Sequence, residues 1–335
     1  MKYVSLGRTG LKVSQVALGG LFAADAHDAP RHAADVVRRA VDLGVNYIDT
    51  APGYGDSERV LGEAIGQLPA DRPLILSTKL GGRPQPFDPR DKDALIGSVE
   101  TSLRQLGRDH IDILFVHEPD RPGVYDWWTD WRDLAGPVLD VLEGLKRRGL
   151  IGHTGLGGTT TTELAHLCRT GLFDVVLTAF NYSLLWREAA IDTITAAAAH
   201  DMGIVIGSPL QQGALAHRYD DTINDAGVHW LSTPRREQFR QLYRLLDATG
   251  LDLPEIAMRF VISNPQVHCV LMGARSPREV EQNVAAIEKG PLPDDLLAQL
   301  DEIAAAVPFR PFNEPFGIGW HLPAPGGYRG PGPPC

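Results

Sequence analysis

The chain has 335 residues, 43% of them hydrophobic, with a formal net charge of −10 and an isoelectric point of about 5.5. That acidic balance argues against a general nucleic-acid surface, which needs clustered Lys and Arg. No run of 18 apolar residues occurs and no signal-type segment opens the sequence. The three cysteines, Cys168, Cys269 and Cys335, lie far apart, so a soluble cytoplasmic protein without membrane contact or a disulfide framework is expected.

The opening "YVSLGRTGLKVSQVALGG" reads as a small hairpin around a Gly-containing turn, followed by a first buried strand "VSQVALGG". A repeating pattern starts there. "DVVRRAVDLG" sets Val36, Val37, Ala40 and Val41 on one helical face, with Gly44 as a stop. "VNYIDTA" is a strand, and "SERVLGEAIG" a helix with Ser57 as its expected N-cap. "LILSTKL", "IDILFVHEP", "HTGLGG", "DVVLTAFNY", "IVIGSPL" and "VHCVLMGA" continue as short apolar strands, each followed by a helical or mixed segment. Eight such units, with strands apolar enough to be covered on both faces, are most simply closed into a parallel (β/α)8 TIM barrel. An open doubly wound sheet ranks below it, because no GxGxxG follows the first strand.

The expected embellishments are the N-terminal hairpin, added helices such as "RREQFRQLYRLLDATG", and an aromatic loop over residues 118–137 with Tyr125, Trp127, Trp128 and Trp131. A single domain spans 1–335, its core about 1–305. The Pro- and Gly-rich segment 306–335 reads as a C-terminal substrate loop with Phe309, Phe312, Phe316 and Trp320, followed by a poorly ordered end.

In such a barrel the chemistry collects at the C-terminal ends of the strands. The second strand ends at Asp49, with Tyr54 just beyond; the third ends at Lys79 and the fourth at His117. Singly, each has a plain structural use: a turn-capping carboxylate, a surface lysine, a hydrogen-bonded core histidine. Together they occupy equivalent positions on three adjacent strands, where charge is costly unless paired. Tyrosine ordinarily titrates near pH 10, and a cation alongside favours tyrosinate. Lys79, held by Asp49, is expected to lower the Tyr54 pKa, and His117 to bond the substrate oxygen. Tyr54 then exchanges a proton with an alcohol or carbonyl. No thiol or second nucleophile accompanies the set, so the hydride must come from a cofactor.

The sequence strongly resembles the aldo-keto reductase family across about residues 1–305. "LGRTGLKVSQVALG", "NYIDTAPGYGDSERVLGEAI", "LSTKLG", "LFVHEPD", "FNYSLL", "GSPL" and "GARSPREVEQNVAA" occur in the family's order. The resemblance implies a nicotinamide-dependent oxidoreductase with the catalytic tetrad Asp49, Tyr54, Lys79 and His117. "VHEPD" and "GARSPREVEQN" are similar to the bacterial sugar and aldose 1-dehydrogenase branch. It also implies a pyrophosphate loop at Ser208, Pro209, Leu210 and Gly213. Adenosine contacts fall at Gly273, Ala274, Arg275, Ser276, Glu279, Gln282 and Asn283, with Gly20 at the end of the first strand. Ser276 before Pro277 suits a helix cap, and a helix N-terminus suits phosphate.

The chain departs from the family at several points. Gly273 and Glu279 stand where NADP-preferring members carry a lysine and an arginine, so NAD is the expected preference over NADP. Gly157 and Gly158 replace a Ser-Asn pair, Ala179 a glutamine, and Gly207 a ring-stacking aromatic. The carboxamide grip is then expected from Asn181 and Tyr182. Phe22, Trp128 and Trp320 are expected to wall the substrate pocket beside Tyr54 and His117.

The expected reaction is NAD-linked oxidation of an aldose at its anomeric hydroxyl. The alternatives are NADPH-dependent reduction of small aldehydes or ketones, a non-catalytic redox-sensing relative, and a metal-dependent hydrolase using Asp49, His117 and His153. No HxH or paired-carboxylate spacing supports the last.

Overall fold

The computed structural model describes residues 1–23, 30–69, 72–224 and 231–310. Phe312, Phe316, Trp320 and the remainder of the tail lie outside the described residues.

Strands β1 (Tyr3–Ser5) and β2 (Lys12–Ser14) pair antiparallel, with Val4 opposite Val13. The chain then bends at Gln15, so Val13 and Ser14 belong to the hairpin and not to the first barrel strand, which is shorter than the sequence suggested. Leu6, in the hairpin turn, is fully buried and packs with the residues that fill the barrel. A Cβ on Gly203, at the start of a later strand, would meet the Leu6 side chain at 2.6 Å, which places the hairpin across the N-terminal end of the barrel.

Eight parallel strands follow: β3 (Val16–Gly19), β4 (Tyr47–Asp49), β5 (Ile75–Leu80), β6 (Ile111–His117), β7 (Ile151–Gly158), β8 (Val175–Ala179), β9 (Gly203–Gly207) and β10 (Cys269–Gly273). Each pairs with the next, and β10 closes onto β3 with Gly273 opposite Gly19.

Helices cover the outside: α1 (Pro30–Asp42), α2 (Ser57–Ile65), α3 (Lys92–Leu106), α4 (Pro137–Arg147), α5 (Thr162–Arg169), α6 (Glu188–Ile191), α7 (Thr193–Ala198), α8 (Asp220–Asn224), α9 (Thr233–Thr249), α10 (Leu253–Ser263), α11 (Pro277–Glu288) and α12 (Asp294–Ala305). After β8 the outer layer is made of two short helices, α6 and α7, which meet at Asp192. Ser57 is not the cap of α2. Asp56 holds that position, while the Ser57 hydroxyl donates to Gly20 O at 2.6 Å and bonds Thr50 Oγ1, tying the ends of β3 and β4 together.

The apolar strands feed two separate cores because successive side chains alternate faces. Val16, Leu18, Ile48, Leu76, Leu114, Val116, Val176, Ile204 and Val270 pack outward among the helices. Ala17, Tyr47, Ile113, Phe115, Val175, Leu177, Val205, Cys269 and Leu271 fill the barrel. Burying each large side chain contributes about 1.5–3 kcal/mol. This two-residue alternation also decides what stands at the C-terminal rim.

Candidate active site

Counting upward by two from the inward residues gives the rim: Gly19, Asp49, Lys79, His117, Gly157, Ala179, Gly207 and Gly273. One half, on β4 to β6, carries large polar groups. The other half carries only glycine and alanine.

Lys79 and Asp49 are both buried, with side chains 2% and 3% exposed, and Lys79 Nζ donates to Asp49 Oδ2 at 2.7 Å. It also donates to Thr50 O at 2.8 Å, and the Tyr54 phenol is its electrostatic neighbour. Asp49 Oδ1 accepts from Ser77 Oγ at 2.6 Å, and Ser77 Oγ bonds the Tyr47 hydroxyl at 3.0 Å. The ammonium lies 4.7 Å from the centre of the Tyr54 ring. Tyr54 and His117 meet edge to face, ring centres 6.0 Å apart. The four residues therefore converge on one mouth.

The electrostatics depart from the expectation in one respect. Burial pulls the Lys79 ammonium down, but Asp49 and Tyr54 outweigh it and leave Lys79 above its ordinary value. Burial is the largest influence on the Tyr54 phenol and raises it. Lys79 pulls the other way, Asp49 adds to the rise, and the outcome lies above the ordinary tyrosine value. Without a bound ligand Tyr54 is a neutral phenol, not a pre-formed tyrosinate. His117 is pushed down to about 3 by burial and by Lys79, so its ring is neutral at physiological pH. Its Nδ1 is buried without a partner among the described residues.

The loop after β6 closes over this half. Trp127 Nε1 donates to His117 O and Trp128 Nε1 to Pro119 O, each at 2.9 Å. Trp128 is thereby a buried brace of the loop and not an open pocket wall, which corrects its expected substrate role. The half-buried aromatic beside the mouth is Tyr125, 6.1 Å from His117 between ring centres and packed on Gly81 and Gly82. Phe22 lies against Gly273 beneath the Arg275 guanidinium, 4.5 Å from the ring centre.

The small half of the rim leaves room beside Lys79. A Cβ on Gly157 would stand 3.7 Å from Lys79 Cε, filling space beside the ammonium. Beyond β9, Ser208, Gln211, Gln212 and Gly213 all adopt positive φ (54°, 49°, 51° and 108°), coiling the backbone tightly where the pyrophosphate loop was expected. Ser276 caps α11, accepting from Glu279 N at 3.3 Å, and Glu279 Oε2 accepts from Arg275 N at 2.7 Å. Ala274 and Asn283 are buried behind this turn, while Gln282 is exposed. Gly20 is required by close approach, since a Cβ there would lie 2.6 Å from Leu61 and 2.9 Å from Asp49 O.

Of the two residues expected to hold the carboxamide, Asn181 stays at the rim end of β7 and Tyr182 turns away. Asn181 Nδ2 donates to Thr159 O at 2.7 Å. Tyr182 packs on Phe260 of α10, in the outer layer, so it does not serve as a ring grip at the mouth. His153 sits low on β7 beside Asp174, apart from Asp49 and His117, and no group of three or more metal-ligating residues occurs among the described residues. Glu118 was passed over in the sequence, although "HEPD" placed a carboxylate directly after His117.

The aldo/keto reductase family model matches residues 16–305, and the chain belongs to that family. It is 29% identical to D-threo-aldose 1-dehydrogenase of Pseudomonas sp, over 85% of this chain and 91% of that protein. It is 27% identical to the NADH-specific methylglyoxal reductase of Escherichia coli K12, over 86% and 94% respectively. The fold is shared with aldo-keto reductase AKR11C1 of Bacillus halodurans in its holo form, at a TM-score of 0.74 and 24% identity over 92% and 97%. The protein is thus an NAD(P)-dependent oxidoreductase. No helix among the described residues is long and apolar enough to cross a membrane.

Proposed function

We propose that the chain oxidises an aldose at its anomeric hydroxyl, with NAD as the preferred acceptor and Tyr54 as the group that takes the hydroxyl proton. The observation that carries this reading is the Tyr54 phenol beside a buried ammonium that Asp49 pairs, on the polar side of a rim whose remaining positions are glycine or alanine. Nicotinamide, when bound, supplies the hydride chemistry. Lys79 stabilises negative charge on Tyr54, and Asp49 fixes Lys79. Neutral His117 offers an N–H to the substrate oxygen without adding a second cation.

The candidate holders of the dinucleotide are the Ser208–Gly213 turn and the start of α11. There Glu279 folds back onto Arg275 N, setting a carboxylate at the helix entrance where a ribose phosphate would need a cation. This favours NAD. The identity with an aldose 1-dehydrogenase supports the substrate class.

A second reading, reduction of small aldehydes, draws on the Tyr54 phenol, which its raised pKa keeps protonated and so able to give a proton, and on the likeness to a methylglyoxal reductase. A panel of pentoses, hexoses, deoxysugars and small aldehydes with both cofactors, run beside Tyr54→Phe, separates the two. The expected result is sugar oxidation with kcat/KM at least tenfold higher for NAD. A tenfold preference for NADP, or aldehydes as the only substrates, overturns the proposal.

A further inference from the structure

Glu118 follows His117 directly and turns the chain at the barrel lip with φ at 49°, an uncommon conformation for a residue other than glycine. Its N–H donates to Gly157 O at 2.7 Å, which fixes the backbone to the small half of the rim. Its carboxylate Oε2 accepts from Thr159 Oγ1 at 2.8 Å and lies 3.5 Å from Arg121. No hydrogen bond among the described residues reaches Oε1, and the side chain keeps 17% of its surface open. The carboxylate acts electrostatically on both Tyr54 and Tyr125, the two phenols at the mouth. When ionised, this anchored group at the rim between β6 and β7 accepts only, and it invites a donor from the substrate. Its negative charge would repel the phosphates of a dinucleotide, which favours the substrate as the source of that donor.

We infer that Glu118 is a specificity-determining residue: its carboxylate accepts a hydrogen bond from a hydroxyl on the carbon next to the reacting one, so that the substrates are α-hydroxylated carbonyl compounds and the sugars derived from them. This rests on the oxidoreductase reading above. The groups facing the carboxylate are Asp120, Arg121 and Thr159, and its charge raises the Tyr54 and Tyr125 phenols. Burial first and Asp120 second raise Glu118 to about 7, against the pull of Thr159 and Arg121. The carboxylate, the stronger acceptor, therefore predominates only above neutrality.

The test measures kcat/KM for glyceraldehyde and for propanal with NADH and NADPH, in the wild type, Glu118→Gln and Glu118→Leu, from pH 5.5 to 8.5. Comparing the glyceraldehyde-to-propanal ratio between enzymes cancels the differing intrinsic reactivity of the two aldehydes. The ratio is expected to fall at least tenfold in Glu118→Leu, chiefly through KM, and to lose in Glu118→Gln the rise through about pH 7 that the wild type shows. An unchanged ratio overturns the inference, as does an equal loss on both substrates, which is the signature of a brace between β6 and β7. Wild-type turnover of neither compound overturns the assigned α-hydroxy carbonyl substrate class along with the inference, whereas turnover abolished by Tyr54→Phe with an unchanged ratio sinks Glu118 alone.

Discussion

Replacing Lys79 by Met tests the electrostatic centre of the site. The substitution keeps length and apolar volume but removes the cation, leaving Asp49, 3% exposed, with the Ser77 hydroxyl as its one side-chain partner among the described residues. It also leaves Thr50 O without its 2.8 Å donor. Removing one partner of a buried ion pair costs about 3–5 kcal/mol, because the other charge stays desolvated and unopposed. The unfolding entropy of a chain of this length is roughly 0.7 kcal/mol per degree, from about 2.1 cal/mol/K per residue. The expected fall in Tm is therefore about 4–7 °C at pH 7.

The wild-type pair should hold across that measurement. Lys79 lies above its ordinary 10.5 in the folded state, so its contribution is complete below that pH and is lost only as pH rises through the folded value. The assay is differential scanning calorimetry on the wild type, Lys79→Met, Asp49→Asn and the double variant. Neutralising the stranded carboxylate should make the double variant melt higher than the sum of the two single losses allows, by a coupling of about 2 kcal/mol or more. Lys79→Met melting within about 1 °C of the wild type, or strictly additive losses, would refute the buried-pair reasoning.

Three further outcomes are expected. Tyr54→Phe removes the group proposed to exchange the proton and should lower kcat/KM by about 10²–10⁴-fold, with NADH affinity measured separately by fluorescence titration. Because the Tyr54 phenol lies above 10 and the base form serves oxidation, log kcat/KM for oxidation should climb with pH to at least 10, with no inflection from His117 between 5 and 8; a plateau reached near pH 7.5 would contradict this. Gly155→Ala would put a Cβ 2.4 Å from the Phe115 ring in the filled barrel, so a loss of about 1–3 kcal/mol is expected in denaturant titration, while Gly97→Ala, with open space around it, should be neutral or stabilising.

The barrel was legible because its signal is local. Eight apolar runs, each bounded by turn residues and followed by a helical stripe, leave few ways to satisfy the backbone and cover both faces. The same two-residue alternation sends Asp49, Lys79 and His117 inward once the strands are placed, so three of the four converging groups could be read from strand ends, and Ser276 could be read as a cap from the Pro277 that follows it.

What the sequence could not settle depends on sums over distant neighbours. Whether Tyr54 rests as phenol or phenolate is a balance of burial, Lys79 and Asp49, and only the assembled site shows that burial dominates. A tryptophan in a loop packs inward or outward according to where its indole N–H finds an acceptor; for Trp128 that acceptor is Pro119 O, which the folded loop supplies. Tyr182 follows Asn181 in sequence yet turns to Phe260, a partner 78 positions along the chain. Order along the chain thus determined the strands, their inward positions and the residues that carry the chemistry. The closing of the barrel decided their solvation, their partners and the division of the rim, because desolvation and hydrogen-bond satisfaction are properties of the packed whole.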